Sequence, residues 1–397
     1  MENISHSVVG LSVGELVHRI LPAERDQERQ EFRRKILLFI SIVCASFPDL
    51  DILLINTLPE PLGYLLHHRG HTHTLVYLIP QALIVLSLFA LLSKKFRKLF
   101  LSGGVTGLGV TLCVLFNFML HITLDSLNSY GIHPFFPFNN EWLYGDLVFI
   151  VEPFFWIAFG APLIATFLKK KFKWILGLFI VLSPIALSVK NFLPTSSVLF
   201  LLCMGSLLYL VQRKTKVAGL CGSFVMLGVF LFFLNLNKNN AKEFYLSNIK
   251  PDNIEHITIA LNPTPTQLNC WQFSSVGKSK DQIITTRGIF SLGEINDCPK
   301  AFLEMSPVKS SFERHKIYSI DETNISKIRS MFRENCFFNA WTRFARVPIL
   351  KETKAWDGRF QRGEQEENFS TIRFDQMDEA CPESVPPWVP PLHNFLI

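Results

Sequence analysis

The chain has 397 residues, of which 49% are apolar, and it carries a formal net charge of +6. The apolar residues crowd into the first ~236 positions as runs of roughly 17 to 25 residues, which are long enough to cross a bilayer. The basic residues come in short blocks between these runs, as in loops that fix membrane orientation. The charge therefore predicts no nucleic-acid partner.

Residues 1–236 are predicted to form a helical membrane domain with about eight spans. The predicted spans are Ile4–Ile20, Ile36–Ile55, Thr74–Ser93, Phe100–Leu124, Leu147–Leu168, 174–190, 196–212 and 217–236. The first span places His6, Gly10, Gly14 and His18 on one i,i+4 stripe, and we expect this stripe to face neighbouring helices. The alternative for this segment is an amphipathic helix on the membrane surface.

The basic segments predict the orientation of these spans. The positive-inside rule places residues 22–35, 94–99, 169–173 and 213–216 in the cytoplasm and both termini outside. Many polar residues would then lie near one outer face. They are His6, Asp49, Asp51, the His67–His73 loop, His121, Asp125, His133, Asp146 and Glu152. This convergence predicts a single site.

The His67–Thr74 segment packs four histidines and one arginine beside a predicted span. Histidine is neutral near pH 7 and is the commonest metal ligand, so the segment indicates a metal site. The alternative is a polar loop at the membrane surface. His121 and Asp125 lie four residues apart on one helical face and can ligate one ion or neighbouring ions, although an ordinary hydrogen-bonded pair is the alternative.

Two further features bear on the chemistry. Asp49 and Asp51 would point apart in a regular helix and can converge only if Pro48 and Asp49 break or end it. Arg69 suits a bidentate grip on a phosphate or a carboxylate, whereas its alternative role is an anchor to lipid headgroups.

From residue 237 to residue 397 the apolar runs vanish, and we predict a small β-rich α+β domain outside the cytoplasm. Residues 256–261 and 281–286 have the pattern of strands, and a helix is predicted near residues 324–334. The domain holds Cys270, Cys298, Cys336 and Cys381, an even number that fits two disulfides in an oxidising compartment. The pairing stays open.

The order of the motifs resembles a known family. An amino-terminal His, Pro-Asp-x-Asp, His-Arg-Gly-x-Thr-His, and His-x-x-x-Asp followed by Tyr-Gly and Pro-Phe are similar to the membrane-bound (inner-membrane) metal-dependent hydrolases. The matching positions are His6, Asp49, Asp51, His68, Arg69, Gly70, Thr72, His73, His121, Asp125, Gly131 and Pro137. The resemblance covers about residues 1–160. It implies a multi-pass enzyme of the bacterial inner membrane.

Residues and resemblance together give the predicted site. The metal ligands are His6, Asp49, Asp51, His68, His73, His121 and Asp125, the catalytic residues are Arg69 and Asp51, and His71, His133, Asp146 and Glu152 rank lower. We expect a divalent metal, zinc before others, that activates a water. The ligand order is also similar to that of zinc-dependent phospholipase C, which favours a phosphoester or other ester of a lipid or lipid-linked substrate. The rival class is an ion- or proton-coupled transporter that uses the same cluster.

Overall fold

A computed structural model of the chain describes residues 1–101, 104–167, 170–361, 367–374 and 381–396. The chain divides into two compact units. The first unit comprises Met1–Leu50, Thr72–Ser126 and Ile150–Phe233, and the second comprises Asp51–His71, Leu127–Phe149 and Leu234–Ile397. The second unit thus takes two segments from within the predicted membrane domain. The described residues do not include Gly103 in the predicted fourth span, Leu168 in the predicted fifth span or Lys169 in the basic segment 169–173.

Helices dominate the first half of the chain. In chain order the helices are α1 (Asn3–Ile20), α2 (Gln27–Ser46), α3 (Leu62–His67), α4 (Leu75–Leu92), α5 (Lys94–Leu101), α6 (Gly104–Ser126), α7 (Pro153–Thr166), α8 (Lys170–Val189), α9 (Thr195–Lys214), α10 (Ala218–Asn248), α11 (Lys300–Leu303), α12 (Ile325–Glu334), α13 (Cys336–Thr342) and α14 (His393–Leu396). Short 3-10 helices lie at Pro48–Thr57, His71–His73, Ile295–Asp297 and Gly358–Phe360.

Among the described residues, six helical segments are long and apolar enough to cross a membrane. They are Gln27–Thr57, Leu75–Leu92, Gly104–Ser126, Lys171–Val189, Thr195–Lys214 and Ala218–Asn248. All six coincide with predicted spans, so the helical membrane region is confirmed. The other two predicted spans correspond to α1, which falls outside this set, and to α7, which has 14 residues. The count of eight stays a prediction.

The helices α1 and α7 lie inside the first unit. Helix α1 packs against α2, α6 and α7, and α7 packs against α1, α8 and α9. A Cβ added at Gly14 would lie 2.7 Å from the carbonyl oxygen of Leu37 and 2.6 Å from Ser41 Oγ. The glycine stripe of α1 therefore faces protein, as predicted, and the absent side chain lets α1 approach α2 closely.

Two antiparallel sheets form much of the second unit. The strands are β1 (Glu255–Pro263), β2 (Cys270–Ser279), β3 (Gln282–Ser291), β4 (Ser310–Ser311), β5 (His315–Asn324), β6 (Pro348–Leu350), β7 (Lys354–Asp357) and β8 (Ile372–Arg373). The first sheet has the order β1-β2-β3-β5-β4, and the second has the order β6-β7-β8. The predicted strands fall in β1 and β3, and the predicted helix is α12. The small β-rich domain is confirmed.

Two disulfides lie in the second unit. Cys270 is bonded to Cys298, and Cys336 is bonded to Cys381. The predicted number of disulfides is confirmed, and the structure supplies the pairing.

Candidate metal centre

Three elements of the first unit supply a group of possible ligands. Asp49 lies in the 3-10 helix that Pro48 begins after α2, and His73 ends the 3-10 turn before α4. His121 and Asp125 lie one turn apart on α6, as their spacing predicts. Their ligand atoms lie within 4.8 Å of one another. We call these four residues the ligand cluster.

The distances within the ligand cluster fit one small ion. His73 Nε2 lies 3.0 Å from His121 Nε2, 3.4 Å from Asp49 Oδ1 and 3.1 Å from Asp125 Oδ2. His121 Nε2 lies 3.6 Å from Asp49 Oδ1 and 3.4 Å from Asp125 Oδ2. Ligands about 2.0 Å from a tetrahedral zinc ion lie about 3.3 Å from one another. These five distances therefore bracket the spacing of a tetrahedral site.

The hydrogen bond of His121 fixes the direction of its lone pair. Its Nδ1 donates to the carbonyl oxygen of Ala45 at 2.7 Å, and a carbonyl can only accept. A neutral His121 ring therefore presents the lone pair of Nε2 to the cluster. His73 Nδ1 lies 3.0 Å from Thr72 Oγ1, which leaves its Nε2 directed at the same atoms. The Nε2 lone pair of His121, the Nε2 atom of His73 and two carboxylates meet here, and such a group is stable when a cation lies among them.

His6 lies beside the ligand cluster in the same unit. Its Nε2 is 3.2 Å from Asp125 Oδ1, and its ring stacks on that of His121 with centroids 4.1 Å apart. The N-terminal ammonium of Met1 also contacts Asp125 Oδ1. His6 and Met1 thus contact the carboxylate oxygen other than the one that faces His73 and His121. The role of His6 as a ligand stays a prediction.

A second group forms around Arg69 in the second unit. Asp51 accepts from Arg69 N at 2.8 Å and lies 2.9 Å from His68 Nδ1. The Arg69 guanidinium donates to Asn128 Oδ1 at 3.0 Å and lies 4.9 Å from the centroid of the Tyr130 ring. Asp51 and His68 therefore contact each other and do not belong to the four-residue ligand cluster. Their metal-binding role stays a prediction.

The two lower-ranked histidines lie among aromatic rings of the second unit. His71 lies 4.9 Å from the Trp388 ring, and His133 lies 3.8 Å from Trp388 and 3.9 Å from Trp142, centroid to centroid. Burial lowers the pKa of His133 to about 3, so the ring is neutral near pH 7. These contacts indicate that His133 serves packing.

The two lower-ranked carboxylates have their own partners. Asp146 accepts two hydrogen bonds from the Arg346 guanidinium, at 2.9 and 2.8 Å. Glu152 caps α7 by accepting from Phe154 N at 3.1 Å. Neither residue belongs to the ligand cluster identified among the described residues.

Sequence reasoning did not assign several residues that support these groups. Thr72 contacts His73, and its place in the His-Arg-Gly-x-Thr-His motif is the sequence feature that could have indicated this contact. Asn128 and Tyr130 stand in a loop rich in aromatic residues that gives no sign of a contact with Arg69. The carbonyl group of Ala45 acts through the backbone, so its side chain carries no signal.

Comparison with known proteins gives a family match. No curated protein and no solved structure matches the chain. Residues 1–194 match the family described as YdjM inner membrane protein. That description agrees with the inner-membrane part of the predicted resemblance, and it names neither an activity nor a metal. The match and the six apolar helices together show that the chain is a multi-pass membrane protein, similar over residues 1–194 to the YdjM inner membrane protein family.

Proposed function

We propose that the protein is a membrane-bound metal-dependent hydrolase. The ligand cluster carries this proposal, because its two imidazole nitrogens lie 3.0–3.6 Å from each other and from the two carboxylate oxygens. Two nitrogen and two oxygen ligands at this spacing suit zinc. We expect the substrate to be a phosphoester or another ester of a lipid or lipid-linked molecule.

Burial within the ligand cluster is uneven. The side chains of His73, His121 and Asp125 are fully buried, whereas Asp49 keeps 17% of its side-chain surface exposed. A catalytic zinc ion keeps one position for water, so three of the four residues would hold the ion, and it would lower the pKa of that water to about 7. The buried residues fix the position of the ion. The exposed edge at Asp49 is the side from which water and substrate would enter.

Arg69 is the proposed anchor for the phosphate or carboxylate group of the substrate. Asp51 accepts from the backbone N–H of Arg69, and Arg69 has a φ of 61°, which is uncommon for a non-glycine residue. We therefore propose that Asp51 positions Arg69. A planar guanidinium offers two parallel donors to an oxyanion.

We further propose that the protein lies in a bacterial inner membrane with its carboxy-terminal domain outside the cytoplasm. The two disulfides support an oxidising compartment for that domain. The basic segments between the apolar helices support the same orientation.

Replacement of Arg69 separates substrate binding from metal binding. Arg69→Lys should keep the metal content and lower kcat/KM about tenfold or more. A lysine offers a point charge where arginine offers a planar fork, so the variant would lose one hydrogen bond to the charged group of the substrate. Arg329→Lys is the matched control, since this guanidinium lies 5.4 Å from the Phe395 ring outside both groups. Unchanged kcat/KM in Arg69→Lys would remove Arg69 from the reaction.

The decisive assay for the function separates a hydrolase from a transporter. Detergent-solubilised protein should release phosphate or another product from lipid-linked esters, with loss of activity on chelation and recovery with zinc. A transporter depends on a membrane gradient and has no activity in detergent. Gradient-driven uptake into proteoliposomes, with no cleavage of any ester tried, would overturn the proposal.

A further inference from the structure

The carboxy-terminal domain contains a buried arginine that forms no ion pair with any carboxylate of the described residues. Arg287, on β3, is only 6% exposed. Its Nε donates to Ser319 Oγ at 2.9 Å, and its Nη1 donates to the carbonyl oxygen of Gln361 at 3.3 Å. Among the described residues no carboxylate forms an ion pair with it. Burial lowers the pKa of Arg287 to about 10, and the charge of Asp321 opposes this shift only in part, so the side chain is charged at neutral pH.

Arg287 lines a small polar cavity in the second unit. The cavity has a volume of about 50 Å³, and its polar lining side chains include Asn262, Gln272, Ser274, Ser306 and Tyr318. Arg359 also lines it, but Asp357 accepts from that guanidinium at 2.8 Å and balances its charge. The cavity therefore has hydrogen-bonding groups and one guanidinium, that of Arg287, with no ion-paired carboxylate among the described residues.

A buried charge without a partner is costly in free energy unless a counter-ion or water compensates it. One water molecule needs roughly 10–15 Å³ of such space, so this cavity has room for more than one water. A tetrahedral oxyanion would fill this space and accept from the guanidinium and from the hydroxyl and amide groups around it.

We propose that this cavity binds a small oxyanion of the size of phosphate or sulfate, with Arg287 as its charge partner. The anion is either free in solution or the terminal group of a phosphomonoester lipid, since both offer the same oxygens. This site is separate from the ligand cluster and does not depend on the proposed hydrolase activity. Arg287 itself lies outside residues 1–194, the part of the chain that matches a known family, although Ser129 of that part also lines the cavity.

Equilibrium dialysis with radiolabelled phosphate tests this site. The purified full chain is kept in non-ionic detergent, and chloride holds the ionic strength constant. Metal-stripped wild type, whose ligand cluster no longer offers a cation to phosphate, should bind about one phosphate per chain, and Arg287→Gln treated in the same way should lose at least tenfold in affinity. Ser274→Leu, which keeps the arginine and fills the cavity, should lose binding as well. Arg314→Gln is the matched control, because this arginine belongs to the same domain and does not line the cavity.

Displacement by short-chain phosphatidic acid distinguishes the two sources. Displacement assigns the site to a lipid headgroup, and failure to displace assigns it to a free anion; either result supports the site.

A further variant tests whether the chain's own carboxylates are the counter-ion. Glu364 and Glu366, which lie outside the described residues, are replaced together as Glu364→Gln/Glu366→Gln. Binding by that variant alone would make the chain's own carboxylates the counter-ion and overturn the proposal. Equal binding by wild type and Arg287→Gln, or none by wild type, would overturn it too.

Discussion

Two buried histidines have different surroundings in this protein. His121 donates from Nδ1 to the carbonyl group of Ala45, so its Nε2 faces Asp49, His73 and Asp125. His133 instead packs between the rings of Trp142 and Trp388. The sequence ranked His121 above His133 because of its spacing to Asp125. In the structure the two residues differ in their partners, which are hydrogen-bonding groups for His121 and aromatic rings for His133.

The burial of His133 predicts a pH dependence of stability. Its pKa is lowered to about 3 in the folded chain, whereas an unfolded histidine titrates near 6.5. Its contribution to stability is therefore complete above pH 6.5 and is lost as the pH falls from there towards 3. Between pH 7 and pH 5.5 the loss should be about 1 kcal/mol.

The measurement is the thermal unfolding of purified protein at pH 7 and pH 5.5. His133→Gln, which cannot titrate in this range, should show a smaller fall in melting temperature than wild type. The same fall in both proteins would contradict a buried, neutral His133.

At the scale of elements, apolar run length predicted eight membrane helices; six of these are long and apolar enough to cross a membrane, and α1 and α7 fall outside that set. Helix α1 carries Glu15 and His6 yet lies against α2, α6 and α7, where its polar groups contact protein. Helix α7 is short, and residues 153–163 are buried in the first unit. A helix surrounded by other helices needs neither the length nor the apolarity of one that faces lipid, so hydropathy alone could not separate these two.

The close approach of α1 and α2 predicts a large cost for a side chain at Gly14. In Gly14→Leu the new atoms would meet the carbonyl oxygen of Leu37, which is backbone and cannot move aside. We expect a loss of about 1–3 kcal/mol or more. The matched control is Gly228→Leu on α10, because a Cβ there meets nothing within 4 Å. The measurement is the melting temperature of each variant relative to wild type. An equal fall in Gly14→Leu and Gly228→Leu would contradict this packing.

At the scale of the whole molecule, the sequence predicted a helical membrane region, a β-rich domain and two disulfides. These features can be read from composition and cysteine number, because bilayer thickness sets the length of an apolar run and an oxidising compartment favours paired cysteines. The sequence did not predict that Asp51–His71 and Leu127–Phe149 belong to the second unit. That assignment depends on long-range packing, such as the hydrogen bond from Trp388 Nε1 to the carbonyl oxygen of Leu66, and no local pattern signals it.

The orientation of the carboxy-terminal domain can be measured on intact cells. Cys203 and Cys221 are exposed on their helices, so both are first replaced by serine. A membrane-impermeant maleimide should then label the chain only after treatment with an impermeant reductant, because the remaining domain cysteines are paired. Labelling without reductant would contradict the disulfides, and labelling only after cell lysis would contradict the orientation.

Metal analysis of purified protein tests the central claim most directly. Wild type should carry about one zinc per chain, and His121→Ala should carry almost none, because it removes the nitrogen that faces the other three ligands. His18→Ala is the matched control, since His18 lies on α1 outside the ligand cluster, and it should retain the wild-type content. Equal, substoichiometric metal in wild type and His121→Ala would contradict the account.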